Sequence, residues 1–477
     1  MRSGAVLIVL LLAGAVRAQP ETLPPPRALG APLSPEDARP IDLTTALRLG
    51  GVDNPQIQIA RQRVLEAVAL RQLAAAQLLP TINTGGNFDH HQGPLQDSNG
   101  TLLKVNRESL YLGLGSGAVG AGTVTVPGIV WSGNVADGWF SALVTRQIVR
   151  QRRFESEAIR NALLLQIASA YLELLRATSR NAIALQIETD AREVARVTSA
   201  FAKTGQGRQA DADRAATEHE QRKAETIQAR ADVQIASARL CQLLSLDPTT
   251  RLEPMESHVV PSGLVPEPIP MPELLAIALT QRPELRAQQS AVRAALLELQ
   301  HAKALPFAPT VLLGYSAGSF GGGSNLATQQ SRFGNFADRE DVDAVLYWSL
   351  RNLGVSNVAL VRIARSRLKQ NQLREIETLD RVRAEVATAQ ARVLARWTQI
   401  EVNESAVRSS QAAFKEDLFR TAHAKGLPIE VLDSLRLLAR SRYGYLDAII
   451  DYNRAQFELY VALGQPPADT LARPVKE

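Results

Sequence analysis

Two neighbouring histidines are the residues of this sequence that come nearest to a metal site. Imidazole nitrogens are common zinc ligands, and His90 and His91 are adjacent in the chain. Adjacent residues on a β-strand point to opposite faces, however, and no further ligand follows at a spacing typical of zinc sites. We therefore interpret the pair as polar surface, and the sequence predicts no metal ion and no cofactor.

A glycine run is the second feature that could bind a ligand. Gly321–Gly323 has the composition of a phosphate-binding loop, but no Lys-Ser or Lys-Thr follows it and no strand-to-helix turn receives it. The single cysteine, Cys241, falls inside an apparent helix, where a small buried residue is the ordinary interpretation. We expect no catalytic residue, and therefore a protein that is not an enzyme.

The charge balance argues against a polyanionic partner. The 477 residues carry 53 Lys and Arg against 48 Asp and Glu, a net charge of +5. Loss of residues 1–18 removes Arg2 and Arg17 and leaves +3. Because acids and bases are mixed along the chain, the sequence predicts no nucleic-acid partner.

The N-terminus has the pattern of an export signal. Arg2 precedes an apolar run from Ala5 to Ala15, and the small residues Val16 and Ala18 stand at the −3 and −1 positions of a cleavage site. The run is about 11 residues long, well short of the roughly 20 that a membrane-spanning helix needs. Residues 1–18 are therefore predicted to be a signal peptide. Since no cysteine follows it, we expect a chain that is not lipidated.

Residues 19–40 are predicted to form an extended tether, because their proline density forbids a continuous helix. Beyond it, the chain has no run of about 18 apolar residues that would predict a transmembrane helix. If the protein crosses a membrane, β-strands must do so.

The main feature of the sequence is an internal duplication. The segment from Leu43 to Pro55 resembles the segment from Met271 to Pro283 at an offset of 228 residues. Farther along, an offset of 219 pairs the two halves without a gap. It aligns Arg146 with Arg365, Gly207 with Gly426, Leu244 with Leu463 and Pro248 with Pro467. We expect two repeats, 41–270 and 271–467, followed by a C-terminal tail, 468–477.

Each repeat is predicted to contain a rising helix, strands and a long helical hairpin. In the first, helices are expected over 55–79, 139–203 and 210–246, with a break at Gly205 and Gly207. In the second they are expected over 283–305, from Val355 onward and over 429–463, with a break at Gly426–Pro428. A helix of roughly 65 residues is about 100 Å long, whereas its hairpin partner reaches only about 55 Å. The rising helix must therefore extend the partner, which predicts a long helical wall.

Residues 81–138 and 310–354 are predicted to form four strands. Leu110, Leu112 and Leu114 alternate with Tyr111, Gly113 and Gly115, a period typical of membrane β-strands. The polar stretches 89–108 and 319–341 are expected to be loops between paired strands. Four strands cannot close a barrel alone, so self-association is expected. The aromatic residues suited to a membrane interface are Trp131, Trp139, Tyr347 and Trp348.

In the order of these features, the chain resembles the TolC-type outer-membrane efflux proteins from about Ile41 to Pro467. The resemblance rests on the duplicated Leu-Thr-x-Ala-Leu opening at Leu43, on Asn54-Pro55 before the rising helix, and on Tyr452–Phe457 followed by Leu463-Gly464. It implies a mostly α fold with a β-barrel segment, in which duplicated hairpins form a periplasmic α-barrel tunnel. It also implies a homotrimer with a twelve-stranded barrel in outer-membrane lipid.

The same resemblance implies an exit channel for efflux or secretion. A periplasmic adaptor would dock at the hairpin tips, here Gly205, Gly207, Gly426 and Pro428, and an inner-membrane efflux pump or secretion ATPase would supply energy. An envelope scaffold without a conducting pore is the alternative. Neither the exported substrate nor the particular adaptor and pump can be read from the sequence.

Three acidic residues match the narrow periplasmic mouth of that family. Glu430 and Asp433 follow the second hairpin turn, and the repeat alignment sets Asp211 opposite Glu430. Rings of carboxylates would favour cations at a constriction. The plainer interpretation is that they are first-turn acids stabilised by the helix dipole. The aromatic-Asp-Gly turn usual after the family's second strand is missing, since Arg351–Gly354 stands there, and Ser116–Gly128 is unusually rich in glycine.

Overall fold

The structure is a computed structural model that describes residues 38–116, 126–256, 258–265, 269–326, 336–423 and 425–464. The predicted signal peptide, most of the tether and the tail 468–477 lie outside these residues.

Helices make up most of the described chain. The bounds of the eight α-helices are α1 Leu43–Asp53, α2 Pro55–Ala76, α3 Val135–Lys203, α4 Gln209–Leu244, α5 Met271–Gln281, α6 Pro283–Ala304, α7 Val355–Ala422 and α8 Pro428–Ala462. Helix α3 has 69 residues and α7 has 68, so each is about 100 Å long.

Side-chain caps fix where several of these helices begin. The Asn54 Oδ1 accepts a hydrogen bond from the backbone N–H of Gln56 at 2.8 Å, and Asn134 Oδ1 accepts one from Ala136 at 2.9 Å. These bonds satisfy N–H groups that have no partner inside the helix. Pro55, Pro283 and Pro428 each stand in the first turn of a helix, where the missing N–H costs nothing.

The rising helices continue the line of the shorter hairpin helices. Asn54 Nδ2 donates to the Leu243 carbonyl at 2.8 Å, so α2 begins where α4 ends. In the second half the guanidinium of Arg282 donates to the Val461 carbonyl at 3.3 Å, and α6 begins where α8 ends. Because Asn54 and Arg282 are aligned by the 228-residue offset, the two halves use the same junction with different chemistry. The end-to-end arrangement is the one that the helix lengths predict.

Strands form two sheets. The bounds of the nine strands are β1 Arg39–Ile41, β2 Thr81–Ile82, β3 Thr84–Gln96, β4 Leu102–Ser116, β5 Val126–Pro127, β6 Ile129–Asn134, β7 Leu252–Pro254, β8 Thr310–Ser324 and β9 Ala337–Tyr347. Strand β1 pairs in parallel with β7, which holds the start of the described chain against the segment after α4.

The larger sheet is antiparallel and four strand positions wide. We call each position a line, because two short strands can follow one another in the same position. Strands β2 and β3 follow one another along the first line, and β4 and β6 share the second. The third line, β8, pairs with β6 from Thr310 to Tyr315 and with β4 from Ala317 to Ser324. The fourth line, β9, pairs with β8. Four lines are the number that the sequence predicts.

Two expectations about this sheet were wrong. Most of 89–108 is strand, because β3 runs to Gln96 and β4 starts at Leu102, and 319–341 begins in β8, which reaches Ser324, and ends in β9, which starts at Ala337. Residues 327–335 lie outside the described chain. Ladder hydrogen bonds join backbone groups, so polar side chains do not end a strand. In the second line β4 ends at Ser116 and β6 begins at Ile129, and β8 pairs with both; residues 117–125 lie outside the described chain.

The core lies along the helical hairpins. One buried cluster joins α1, α3 and α4 around Ile167, Tyr171 and Leu240, and a second joins α5, α7 and α8 around Val382, Val386 and Ile449. Helix α3 contains a window of mean hydropathy 1.2, enough by length and composition to cross a membrane, but 56% of that window is buried inside the molecule. Burial of this kind is what the core helix of a hairpin requires.

Candidate functional site

The two hairpin turns have the same backbone hydrogen bonds. The N–H groups of Gln206 and Gly207 both donate to the Phe201 carbonyl at 3.0 Å. In the second hairpin, Lys425 and Gly426 donate to the Arg420 carbonyl at 2.8 and 3.1 Å. Every residue of the second set lies 219 positions after its counterpart. Gly205 has a φ of +75°, which favours glycine at the end of a helix, and Pro428 opens α8.

Helices α4 and α8 pack against each other near these turns. Ala215 belongs to a buried cluster with Val431, Leu432 and Leu435 of α8, to which α3 and α7 also contribute. The predicted aperture residues therefore start their helices at the same end of the molecule.

The three predicted aperture acids have different local partners. Glu430 accepts a hydrogen bond from the Leu427 N–H at 3.1 Å, which satisfies a backbone donor at the start of α8. Asp211 accepts from Arg214 at 3.1 Å within one turn of α4. Asp433 is exposed, and its charge acts on Arg436. Glu430 and Asp211 thus perform the helix-start roles that the plainer interpretation assigns, and Asp433 remains exposed.

A charged cross-link joins the two hairpins two turns farther from the tips. The Glu218 carboxylate of α4, only 1% exposed, accepts from the Arg436 guanidinium of α8 at 2.6 and 2.9 Å. Its other oxygen accepts from Arg222 at 2.7 and 2.9 Å. Arg222 in turn pairs with Glu225 at 2.9 Å. We call Glu218, Arg222 and Arg436 the inter-hairpin clamp.

The clamp keeps Glu218 ionised. Burial alone would raise the pKa of this carboxyl, but hydrogen bonds from Arg436 and Arg222 and their positive charges lower the pKa below its ordinary value. The sequence analysis did not find this residue. Glu218 stands on the same helical face as the buried Ala212 and Ala215, and a charge on a buried face was the available signal.

A second set of ion pairs holds α3 to α8 farther from the tips. Arg180 donates to Asp447 at 2.6 Å and Arg454 donates to Glu173 at 2.7 Å, while Arg176 bonds to Asp451. Glu173, Arg176, Arg180 and Arg454 border a cleft of about 1080 Å³ between α3, α4 and α8. The contact between the hairpins therefore combines apolar clusters and ion pairs, both near the tips and farther from them.

The predicted interfacial aromatics lie where the sheet meets the helices. Trp131 Nε1 on β6 donates to the Gln77 carbonyl at 3.1 Å, and Trp348 Nε1, just after β9, donates to the Phe307 carbonyl at 3.2 Å. Each indole thus bonds to the end of the rising helix of its own half. Tyr347 ends β9, and Trp139 is exposed in the first turn of α3.

His90 and Cys241, singled out for possible metal or thiol chemistry, each have a local partner. His90 lies 3.2 Å from Glu108 on the neighbouring strand, and no group of three potential metal ligands occurs among the described residues. Cys241 is buried and donates to the Thr250 carbonyl at 3.3 Å.

Gly314–Gly318 reads Gly-Tyr-Ser-Ala-Gly, the spacing of a hydrolase nucleophile elbow, which the sequence analysis overlooked. The structure places it in the middle of β8, between antiparallel neighbours, and not at a strand-to-helix turn. The Ser316 Oγ accepts from the Gly128 N–H at 3.2 Å, so this serine holds the residue before β6 against β8.

No protein-family model and no curated protein matches the sequence. Solved structures do match. The outer-membrane channel OprN is 20% identical over 91% of this chain and 94% of its own, with a TM-score of 0.71. CusC, described in terms of transmembrane channel formation, is 19% identical over 92% and 96%, with a TM-score of 0.71.

The CmeC outer-membrane channel of Campylobacter jejuni is 12% identical, covers 88% of this chain and 85% of its own, and has a TM-score of 0.73. Similarity extends over nearly the whole length of all three channels, so both the hairpins and the sheet belong to the shared architecture. The chain has the fold of the TolC-type outer-membrane channels.

Proposed function

We propose that this protein is an outer-membrane exit channel for efflux or secretion, formed by three copies of the chain. The observation that carries the proposal is a fold shared with outer-membrane channels over about nine-tenths of the chain. In this proposal the sheet forms one third of a twelve-stranded barrel in outer-membrane lipid, and the hairpins form a tunnel through the periplasm. The chain is a conduit and not an enzyme.

The open edges of the sheet support self-association. Within the described residues, β3 pairs only with β4, and β9 pairs only with β8. Unpaired backbone groups are costly in lipid, so each edge requires a partner strand. A second copy can supply its β9 to the free side of β3. The number three comes from the resemblance to the channel family.

The two-repeat organisation, 41–270 and 271–467, is part of the proposal. The matching turns, the matching junctions and the matching indole bonds support it. The periplasmic mouth is proposed at the hairpin tips, where Glu430, Asp433 and Asp211 would line the opening and the turns at Gly205, Gly207, Gly426 and Pro428 would receive a periplasmic adaptor. An inner-membrane pump or secretion ATPase would provide the energy.

The inter-hairpin clamp gives the mouth a means of staying narrow. Glu218 and Arg436 join α4 to α8 close to the tips, so an opening that separates the hairpins must break the ion pair between the buried Glu218 carboxylate and the partly exposed Arg436 guanidinium. In this proposal, hairpin separation near Gly426 opens the channel.

Ion conductance in planar bilayers tests the proposed channel. Purified trimers are expected to conduct ions. The Glu430→Gln/Asp433→Asn variant is expected to lose part of the preference for cations, because it removes two carboxylates per chain from the proposed mouth. Glu401→Gln/Glu404→Gln is the matched control, since it removes two exposed acids from the middle of α7. Silent bilayers from folded trimers would contradict the channel.

Fractionation separates this proposal from an envelope scaffold whose strands do not enter lipid. The channel should be recovered with outer membranes and require detergent for extraction. Recovery in the soluble periplasmic fraction would favour the scaffold.

A further inference from the structure

A cleft lined by two arginines opens between α2 and α3, close to the sheet. Its volume is about 400 Å³, and its lining consists of Arg71 and Ala75 from α2 and Ala142, Leu143 and Arg146 from α3. Arg71 is one turn and a half from the end of α2, and Arg146 is three turns from the start of α3. At the rise of an α-helix these positions are about 8 and 17 Å along their helices from the ends nearest the sheet.

Neither arginine has a counter-ion. Both side chains are exposed, and no carboxylate in the described part of the chain forms a salt bridge with Arg71 or Arg146. Two guanidinium groups that border one cleft repel each other, and an anion between them would remove that cost. Planar guanidinium groups bind phosphate through two parallel hydrogen bonds, which favours a phosphate group as the anion.

The surrounding helices are also basic near the sheet. Lys303 is exposed in the last turn of α6. Helix α7 has five cations and no acid between Val355 and Arg374, in contrast to the mixed charges of the chain as a whole. The cations of that stretch are Arg362, Arg365, Arg367, Lys369 and Arg374. All four helices that enter the sheet thus bring positive charge toward it.

Exposed apolar and aromatic residues lie between these cations and the sheet. Trp139, one turn from Ala142 and Leu143, is 69% exposed, and Phe307 after α6 is 81% exposed. Leu79, Trp348 and Leu350 are exposed at the same level of the molecule. Aromatic residues at a membrane interface with cations just outside it are the arrangement that binds anionic lipid surfaces.

We propose that the cleft binds the phosphate headgroup of an anionic phospholipid in the leaflet that faces the helices. The inference rests on the proposed membrane location of the sheet. The phosphate lies between Arg71 and Arg146, and the acyl chains run past Trp139 and Leu79 toward the sheet. Ala75, Ala142 and Leu143 give the cleft an apolar floor, which suits a lipid and adds nothing to the binding of a free anion.

Lipid retention by the purified full-length protein tests the site. The protein in neutral detergent is incubated with equal amounts of phosphatidylglycerol and phosphatidylcholine, and native mass spectrometry counts the lipids retained on each trimer. Each cation near an anionic surface contributes a factor of about five in affinity. We expect wild type to retain phosphatidylglycerol in an excess of about 25-fold, the product of two such factors, and Arg71→Gln/Arg146→Gln to retain the two lipids in nearly equal amounts.

Arg61→Gln/Arg160→Gln is the matched control, because it removes two exposed, unpaired arginines from the same helices farther from the sheet. It should retain the wild-type preference. Equal retention of both lipids by wild type, or an unchanged preference in Arg71→Gln/Arg146→Gln, would overturn the site. Release of the bound lipid by inorganic phosphate at low concentration would instead identify a soluble anion as the ligand.

Bilayer conductance of the same preparations separates this inference from the proposed function. Conducting trimers without a lipid preference would contradict the lipid site alone. Folded protein that neither conducts nor enters membranes would contradict the channel, and with it the basis of the lipid site.

Discussion

Glu218 is the residue on which the contact between the hairpins most depends. Its carboxylate is buried and bonded to guanidinium groups from two helices. Removing one partner of a buried ion pair leaves the other charge without compensation, which costs more than an ordinary surface substitution. We therefore expect a single substitution in the inter-hairpin clamp to change both the free energy of unfolding and the opening of the proposed mouth.

Glu218→Gln should destabilise the hairpins by about 2 kcal/mol, because Arg222 and Arg436 lose their charge-assisted hydrogen bonds to the carboxylate while Arg222 keeps its pair with Glu225. Thermal unfolding of the detergent-solubilised protein, followed by circular dichroism, measures the loss. Glu220→Gln is the control, since that side chain is 67% exposed on the same helix and should change stability by less than about 0.5 kcal/mol. Equal melting temperatures for the two variants would show that the clamp contributes nothing.

The clamp should also make stability depend on pH below the ordinary carboxyl range. The pKa of Glu218 is lowered from 4.5 in the folded protein, so its contribution is fully present above about pH 4.5 and is lost as the pH falls through the lowered value. The stability difference between wild type and Glu218→Gln should be constant near neutral pH and shrink in acid. Melting curves from neutral pH into the acid range test this, and a difference that grows in acid would contradict the sign.

The candidate site could be predicted from the sequence only where its signal is local. Glu430, Asp433 and Asp211 follow a helix break, and the structure places each of them in the first turns of a helix. The pairing of Glu218 with Arg436 joins positions far apart in the chain, and no periodicity reports a contact of that kind. The cleft between Arg71 and Arg146 could not be predicted for the same reason, because it joins residues of two helices that are far apart in the chain.

Among the elements, the junction between α4 and α2 holds these two helices end to end, so that together they approach the length of α3. Asn54 is buried there and makes two bonds of different kinds, one that caps α2 and one to the end of α4. Arg282 occupies the aligned position in the other half and bonds to Glu385 as well. The Asn54 amide in one half and the Arg282 guanidinium in the other thus both join the rising helix to the end of the shorter hairpin helix.

Replacing Asn54 by alanine should cost about 1 to 3 kcal/mol, because both the cap and the bond to Leu243 are lost. Asn54→Asp keeps an acceptor for the Gln56 N–H and loses the donor, so its melting temperature should fall between those of wild type and Asn54→Ala. If the aspartate variant melts with the alanine variant, the cap contributes nothing and the bond to Leu243 accounts for the whole effect.

Helix bounds followed from the sequence more closely than strand bounds. Helices predicted over 139–203 and 210–246 are found at Val135–Lys203 and Gln209–Leu244. The break at Gly205 fixed the inner bounds, whereas the cap at Asn134 and the left-handed residue Ser245 moved the outer bounds by four and two residues. Strand ends were missed at 89–108 and 319–341, since the backbone ladder continues there under polar side chains.

For the whole molecule, the sequence predicts the class of fold and the need for partners, while the number of copies depends on the resemblance to known channels. Helix lengths give the long wall, and four strand lines give a sheet that cannot close. Neither fixes how many copies complete it, because closure depends on strand tilt and stagger between chains.

Detergent-corrected mass from light scattering should correspond to three chains. The free sides of β3 and β9 must be paired in lipid, and a closed ring pairs them in every copy alike. A folded particle with the mass of one chain would contradict the proposed barrel, and a mass of two or four chains would revise the number of strands.

The chain between β4 and β6 can be changed in length without altering the register of either strand with β8. Leu114 is paired with Ala317 and Ile129 with Tyr315, so only Gly115 is needed to span the single position opposite Ser316. Excision of Ser116 to Gly128 would rejoin the second line with every side chain still on its own face. We therefore expect an epitope inserted within this stretch to leave the pairing of β4 and β6 with β8 unchanged.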